Sequence, residues 1–126
     1  MKQILIFVVT LAIIIGAGIW EISYLKESSR YFLSDISDVY QIAKREDYEL
    51  AKTEAKKLQN TWGSIRKTWA LFIDDNQMDE VGDRLVSFVS YIHNKDKGEI
   101  YQSYKSLSNS VNSVVEFEYL KPENIF

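Results

Sequence analysis

The chain has 126 residues and a net charge of −3, from 15 basic and 18 acidic side chains. A slightly acidic chain does not offer the basic surface that binds nucleic acid, so we expect no nucleic-acid partner. It contains no cysteine, which excludes disulfides, thiolate metal sites and cysteine nucleophiles. The length allows one modest domain in addition to an N-terminal segment.

An uncharged apolar run occupies residues 4–20. At about 1.5 Å per residue a helix of this length reaches about 25 Å, slightly less than the roughly 30 Å hydrocarbon core of a bilayer. Lys2 can snorkel to lengthen the span, and Trp20 and Tyr24 suit a membrane–water interface. The run predicts a transmembrane anchor over residues 1–21.

A cleaved secretory signal is the alternative interpretation of this run, with Gly16 and Gly18 as the small residues at the cleavage site. The single Lys2 before the run and the poor Gly-x-Gly pattern favour the retained anchor. Lys2 also favours a cytoplasmic N-terminus and a body outside the cytoplasm, although Lys26 and Arg30 oppose that orientation. We therefore predict a single-pass protein of the cell membrane.

The body is predicted to be all-α, because four segments carry apolar residues at alternating three- and four-residue spacing. These positions are Ile22, Leu25, Ser29 (a polar member), Phe32, Ile36, Val39 and Ala43; Ala51, Ala55, Leu58, Trp62, Ile65, Trp69 and Phe72; Met78, Val81, Leu85, Phe88 and Ile92; and Ile100, Tyr104, Leu107, Val111 and Val114. Asp47, Asn76 and Asp96 are the predicted N-caps of the later three helices. The first helix is predicted to continue from the anchor without interruption. Residues 22–119 then form an antiparallel four-helix bundle, followed by a tail over residues 120–126.

Trp62 and Trp69 lie seven residues apart and therefore share one helix face. Core packing explains this spacing, and an aromatic ligand pocket between helices is the alternative. His93 is the only histidine, and its position near a helix end is typical of a surface residue. Asp35 and Asp38, three residues apart, are interpreted as a solvated helix face.

A group of five acidic residues resembles a calcium loop only loosely. They are Asp74, Asp75, Asp79, Glu80 and Asp83. Counted from Asp75, Glu80 stands where a calcium loop requires glycine, so capping and first-turn charge explain the group better. The sequence contains no glycine-rich phosphate loop and no nucleophile with a base beside it. We expect no enzyme activity, no metal and no cofactor.

Four segments of the chain resemble a known family. They are Gly18-Ile19-Trp20 at the end of the span, Glu46-Asp47-Tyr48 at a helix break, residues 62–74 (WGSIRKTWALFID), and Glu123-Asn124-Ile125-Phe126. The family is domain-of-unknown-function family 4363, which comprises small membrane-anchored helical proteins of Gram-positive spore formers. The resemblance implies a bacterial protein with an anchor and a helical bundle, and it implies no activity.

The up-and-down order of four helices returns the second and fourth helices toward the membrane. This order predicts a docking surface at the membrane-proximal end, formed by Trp69, Phe72, Asp74, Asp75, Asn124, Ile125 and Phe126. The expected partner is an integral-membrane protein or a second copy of the chain; simple packing of the bundle's end is the other interpretation. The predicted function is thus a membrane-anchored, non-enzymatic interaction protein, with an extracytoplasmic ligand-binding or sensor module as the alternative.

Overall fold

Four α-helices make up the computed structural model, which describes residues 1–120, and no β-strand occurs in that range. They are α1 (Lys2–Lys44), α2 (Tyr48–Trp69), α3 (Asp75–His93) and α4 (Lys97–Leu120). Each helix packs against the next along the chain, and α4 returns to pack against α1, which closes the bundle. The predicted all-α class, with a long apolar N-terminal helix that continues into a bundle, is confirmed.

The core of the bundle begins at Leu25 and follows the predicted spacing closely, because those positions fall on one face of each helix. Ile22, Phe72 and Tyr104 are exceptions, since they are half-buried rather than fully buried. Burial also includes polar residues of α4 that the spacing did not assign to the core, among them Ser110. The Ser110 hydroxyl donates to the Leu107 carbonyl at 2.7 Å, so its burial leaves no unmet hydrogen bond.

Helix α1 runs through Ser28 and Ser29 without a break. The Ser28 hydroxyl donates to the carbonyl of Tyr24 at 2.6 Å, and the Ser29 hydroxyl donates to that of Lys26 at 3.0 Å. Both serines therefore satisfy their hydroxyls within the helix. Within residues 1–120 α1 is the one helix long and apolar enough to cross a membrane, and none of its apolar window is buried against protein.

Aspartates cap the three later helices. Asp47 accepts from the backbone amide of Leu50 at 3.4 Å, and Asp96 accepts from that of Glu99 at 3.3 Å, as predicted. The prediction for α3 was wrong: Asp74 is the N-cap and Asn76 lies inside the first turn. Asp and Asn are about equally good caps, so composition could not choose between them.

Two turns lie at the end of the bundle opposite the apolar run, and both are built in the same way. Glu46 (φ 66°) and Lys95 (φ 57°) adopt left-handed backbone conformations. The backbone amides of the next residues, Asp47 and Asp96, donate to the carbonyls of Ile42 in α1 and Tyr91 in α3, at 3.3 and 3.1 Å. This arrangement satisfies the last carbonyls of each helix and reverses the chain sharply.

Candidate functional site

The end of the bundle nearest the apolar run, which we call the base, comprises Trp20 and Tyr24 of α1, the α2–α3 turn over residues 70–74, and the last turn of α4. The ring of Phe72 meets the ring of Trp20 edge-on, with centroids 6.4 Å apart. Trp20 in turn stacks on Tyr24 at 5.7 Å. These ring contacts place the α2–α3 turn beside the last residue of the apolar run.

Trp69 holds this arrangement together from inside the bundle. Its side chain is fully buried, and its indole Nε1–H donates to the Ser28 hydroxyl at 2.9 Å. Its ring also meets that of Trp62 edge-on at 5.6 Å. Trp69 therefore fixes the C-terminal end of α2 against α1, and any part that it plays in docking is through positioning rather than direct contact.

The α2–α3 turn exposes one large apolar side chain. Leu71 is 74% exposed, whereas Ile73 is 5% exposed and packs into the core. Leu120, at the other side of the base, is also 74% exposed. Neither leucine was among the predicted docking residues, because the order of the helices does not show which side chains of this end face outward.

The carboxylates of the base have separate structural roles. Asp74 caps α3 by accepting from the backbone amide of Asn76 at 3.3 Å, whereas Asp75 is exposed in the first turn. Further along α3, Asp79 pairs with Arg66 of α2 at 2.9 Å. No group of three or more His, Cys, Asp or Glu within residues 1–120 could hold a metal ion.

The predicted docking residues Asn124, Ile125 and Phe126 lie outside the described residues. Of the four predicted docking residues that the structure describes, Trp69 is buried, Phe72 is half-buried, and Asp74 and Asp75 are exposed.

Trp62 occupies a core position. Its ring stacks on Phe32 with centroids 5.5 Å apart, and its side chain is 7% exposed. A ligand seated between Trp62 and Trp69 would therefore have to displace core side chains. The geometry favours core packing over the aromatic pocket as the explanation of their seven-residue spacing.

A groove of about 250 Å³ lies between α1 and α2, away from the base. Asp35 and Asp38 of α1 and Glu54 of α2 line it. Burial raises the pKa of the Asp35 carboxyl, and the negative charges of Asp38 and Glu54 raise that pKa further. The sequence could reveal the Asp35–Asp38 pair, but the contribution of Glu54 depends on the register between two helices.

Replacing Asp35 with asparagine is expected to raise the free energy of unfolding at neutral pH by about 0.2–0.5 kcal/mol, the size of a like-charge pair on a helix. A raised pKa in the folded state means that the folded protein binds this proton more tightly than the unfolded chain does. The parent protein therefore gains stability as pH falls through the folded-state pKa of Asp35 and loses it as pH rises. Urea denaturation should give a higher free energy of unfolding for the variant than for the parent at neutral pH, and this difference should shrink toward about pH 4. A difference independent of pH would contradict this explanation.

Comparison with protein families gives one match. The model of the family described as a domain of unknown function (DUF4363) matches residues 19–125, which include the whole bundle and exclude nearly all of the apolar run. Comparison with curated proteins and with solved structures finds no match. Because the matched region covers most of the chain, this protein belongs to the family defined by the domain of unknown function DUF4363.

Proposed function

We propose that the protein is a non-enzymatic, single-pass protein of a bacterial cell membrane, which docks an integral-membrane partner through its base. Residues 1–21 would be the anchor, with the N-terminus in the cytoplasm and the bundle outside. No residue in the apolar window is buried against protein, which supports a lipid environment for this part of α1, since a core helix of a soluble protein would be covered by protein. The positive charge of Lys2 supports the orientation.

The contact between Phe72 and Trp20 is the observation that carries the docking proposal. It ties the α2–α3 turn to the end of the apolar run, so that Asp74 and Asp75 would lie close to the bilayer surface. A partner that reaches these carboxylates must itself lie close to the membrane, as an integral-membrane protein does. The stacked rings of Trp20 and Tyr24 lie at this end of the bundle and support this placement, because Trp and Tyr favour the membrane–water interface.

A photo-cross-linking amino acid at Asp75, compared with one at Val86, tests the proposal in native membranes. Val86 is 61% exposed on the same helix but lies away from the base. We expect an adduct with another membrane protein from position 75 only. Equal labelling from both positions, or none from position 75, would contradict docking through the base, and an adduct of twice the chain's mass would identify self-association instead.

Reversing the charge at Asp75, by Asp75→Lys, should lower the yield of that partner when the cross-linker is placed at Asn76, an exposed neighbour in the first turn of α3. Asp75 is the better of the two carboxylates to reverse, because loss of the Asp74 cap would by itself cost about 1 kcal/mol of helix stability. Circular dichroism checks that the variant keeps its helix content.

Deleting residues 123–126 is expected to release the partner without lowering the midpoint of thermal unfolding. These residues follow Pro122, and a proline disfavours continuation of a helix. We therefore expect the deletion to leave the packing of α4 unchanged. Pull-down from detergent-solubilised membranes and thermal melting measure the two effects. A lower melting temperature with an unchanged pull-down would show that the tail only packs the base.

A further inference from the structure

We propose that the bundle touches the bilayer a second time, through the α2–α3 turn, with Leu71 immersed in the interfacial layer of the lipid. This inference rests on the proposed anchoring of α1 and adds a lipid contact that the anchor alone does not require. The occupant of the apolar tip is the lipid surface itself, and the carboxylates beside it remain available to a protein partner.

The height of the turn along α1 is the first argument. Trp20 is the last residue of the apolar run, and the ring of Phe72 lies 6.4 Å from its ring. Leu71 precedes Phe72 directly, so its backbone lies within one residue of this contact. If the apolar run crosses the bilayer, Leu71 therefore lies at the depth of the membrane–water boundary that Trp20 marks.

The end of α4 supplies a second apolar side chain at a similar height. The rings of Tyr40 and Tyr104 stack with centroids 4.2 Å apart, which sets the register between α1 and the antiparallel α4. Counting an equal number of residues from this pair toward the base brings Leu120 level with Tyr24, about one helical turn from Trp20. Leu71 and Leu120, each 74% exposed, thus flank the place where α1 leaves the apolar run.

The backbone amides of the turn are already paired within the protein. The amides of Ala70, Leu71, Phe72 and Ile73 donate to carbonyls of the last turn of α2, at 2.9, 3.1, 3.0 and 2.7 Å. Unpaired backbone donors are a usual obstacle to placing a turn at the boundary between headgroups and acyl chains. These four donors would remain paired there. The buried Ile73 holds the turn in the core while the Leu71 side chain stays outside.

The charges of the turn indicate which lipids it would contact. Asp74 and Asp75 follow Leu71 closely in sequence, and they offset the basic Arg66 and Lys67 in the last turn of α2. The turn therefore has no excess of positive charge that would attract anionic headgroups. Burial of apolar surface is then the driving force, as it is for amphipathic segments that lie in the interface. We expect the contact to form on zwitterionic lipid and to need no anionic lipid.

The test uses the full chain, which contains no cysteine, so that one introduced cysteine carries one nitroxide label. The variants are Leu71→Cys, Ile13→Cys within the span, and Val86→Cys as an exposed aliphatic control. Each is reconstituted as one copy per nanodisc of phosphatidylcholine, and the label's collisions with oxygen and with a water-soluble nickel chelate are compared. We expect collisions with oxygen to dominate at positions 13 and 71 and collisions with nickel to dominate at position 86.

Three other outcomes would overturn the inference in different ways. A label at position 71 that behaves like the one at position 86, while position 13 remains in lipid, would contradict the second membrane contact and leave the anchor in place. A label at position 71 that is protected from both reagents would mean that protein covers the turn. Dominant nickel collisions at position 13 would instead contradict the anchoring on which the proposal depends.

Discussion

Replacing Trp62 with alanine is expected to lower the free energy of unfolding of the bundle by about 3–5 kcal/mol. The side chain is 7% exposed and lies between the ring of Phe32, stacked at 5.5 Å, and the ring of Trp69, edge-on at 5.6 Å. Alanine would leave a cavity between α1 and α2 that the rings of Phe32 and Trp69 cannot fully close. Because single domains have a total stability of about 5–15 kcal/mol, the loss would be a large fraction of the whole.

Chemical denaturation of residues 21–126, which contain every buried position, measures this effect. Val86→Ala is the matched control, since Val86 is 61% exposed and surface changes usually stay within about 0.5 kcal/mol. Trp62→Phe should fall between the two, because it keeps a ring against Phe32. If Trp62→Ala melted like the parent and lost the binding of a small molecule, the aromatic-pocket interpretation would replace core packing.

The helical periodicity of the sequence was sufficient to predict the bundle. Apolar residues at three-and-four spacing identify a buried stripe with little ambiguity when only one core exists, so positions such as Phe32, Leu58 and Val111 could be assigned in advance. Half-buried Ile22 and Tyr104 follow the same spacing, but Ile22 precedes the core, which begins at Leu25, and Tyr104 stacks on the half-buried Tyr40. The spacing alone does not show how deeply either side chain is buried. The cap of α3 was missed because Asp74 and Asn76 have nearly equal capping tendencies.

The base was predictable in position and only partly in composition. Up-and-down topology was enough to place the α2–α3 turn near the end of the span. The spacing along α2 predicted that Trp69 is buried, but it could not show that the indole donates to Ser28 or that Leu71 turns outward. The direction of Leu71 is set by the backbone of the turn, in which successive residues lie off the helical repeat. The groove at Asp35 also includes Glu54 from α2. The pattern of a single helix does not show how α1 and α2 are aligned, so this neighbour could not be predicted.

Placing a charge in the centre of the apolar run is expected to have the second large effect. In Ile13→Asp the carboxylate would cost about 2.5–3.5 kcal/mol on the insertion scale for a residue at the helix centre. The run has the lower limit of length for a span, so the helix cannot shift enough to bring the charge to an interface. We expect most of the variant to leave the membrane fraction.

Tyr31→Asp is the control for this change, because Tyr31 is 63% exposed on the same helix but lies within the bundle segment. It should stay in the membrane fraction with the parent. Equal partition of both variants with the parent would argue that α1 is not held in the membrane by its apolar run.

We propose that α1 remains attached to the bundle and holds it at a bilayer. Mass spectrometry of the membrane pellet after alkaline carbonate extraction tests whether it does. We predict that the protein stays in the pellet and yields peptides from residues 1–21 joined to the bundle. A form beginning near Ile19, recovered in the carbonate supernatant, would show that the apolar run is a cleaved signal and would contradict the account.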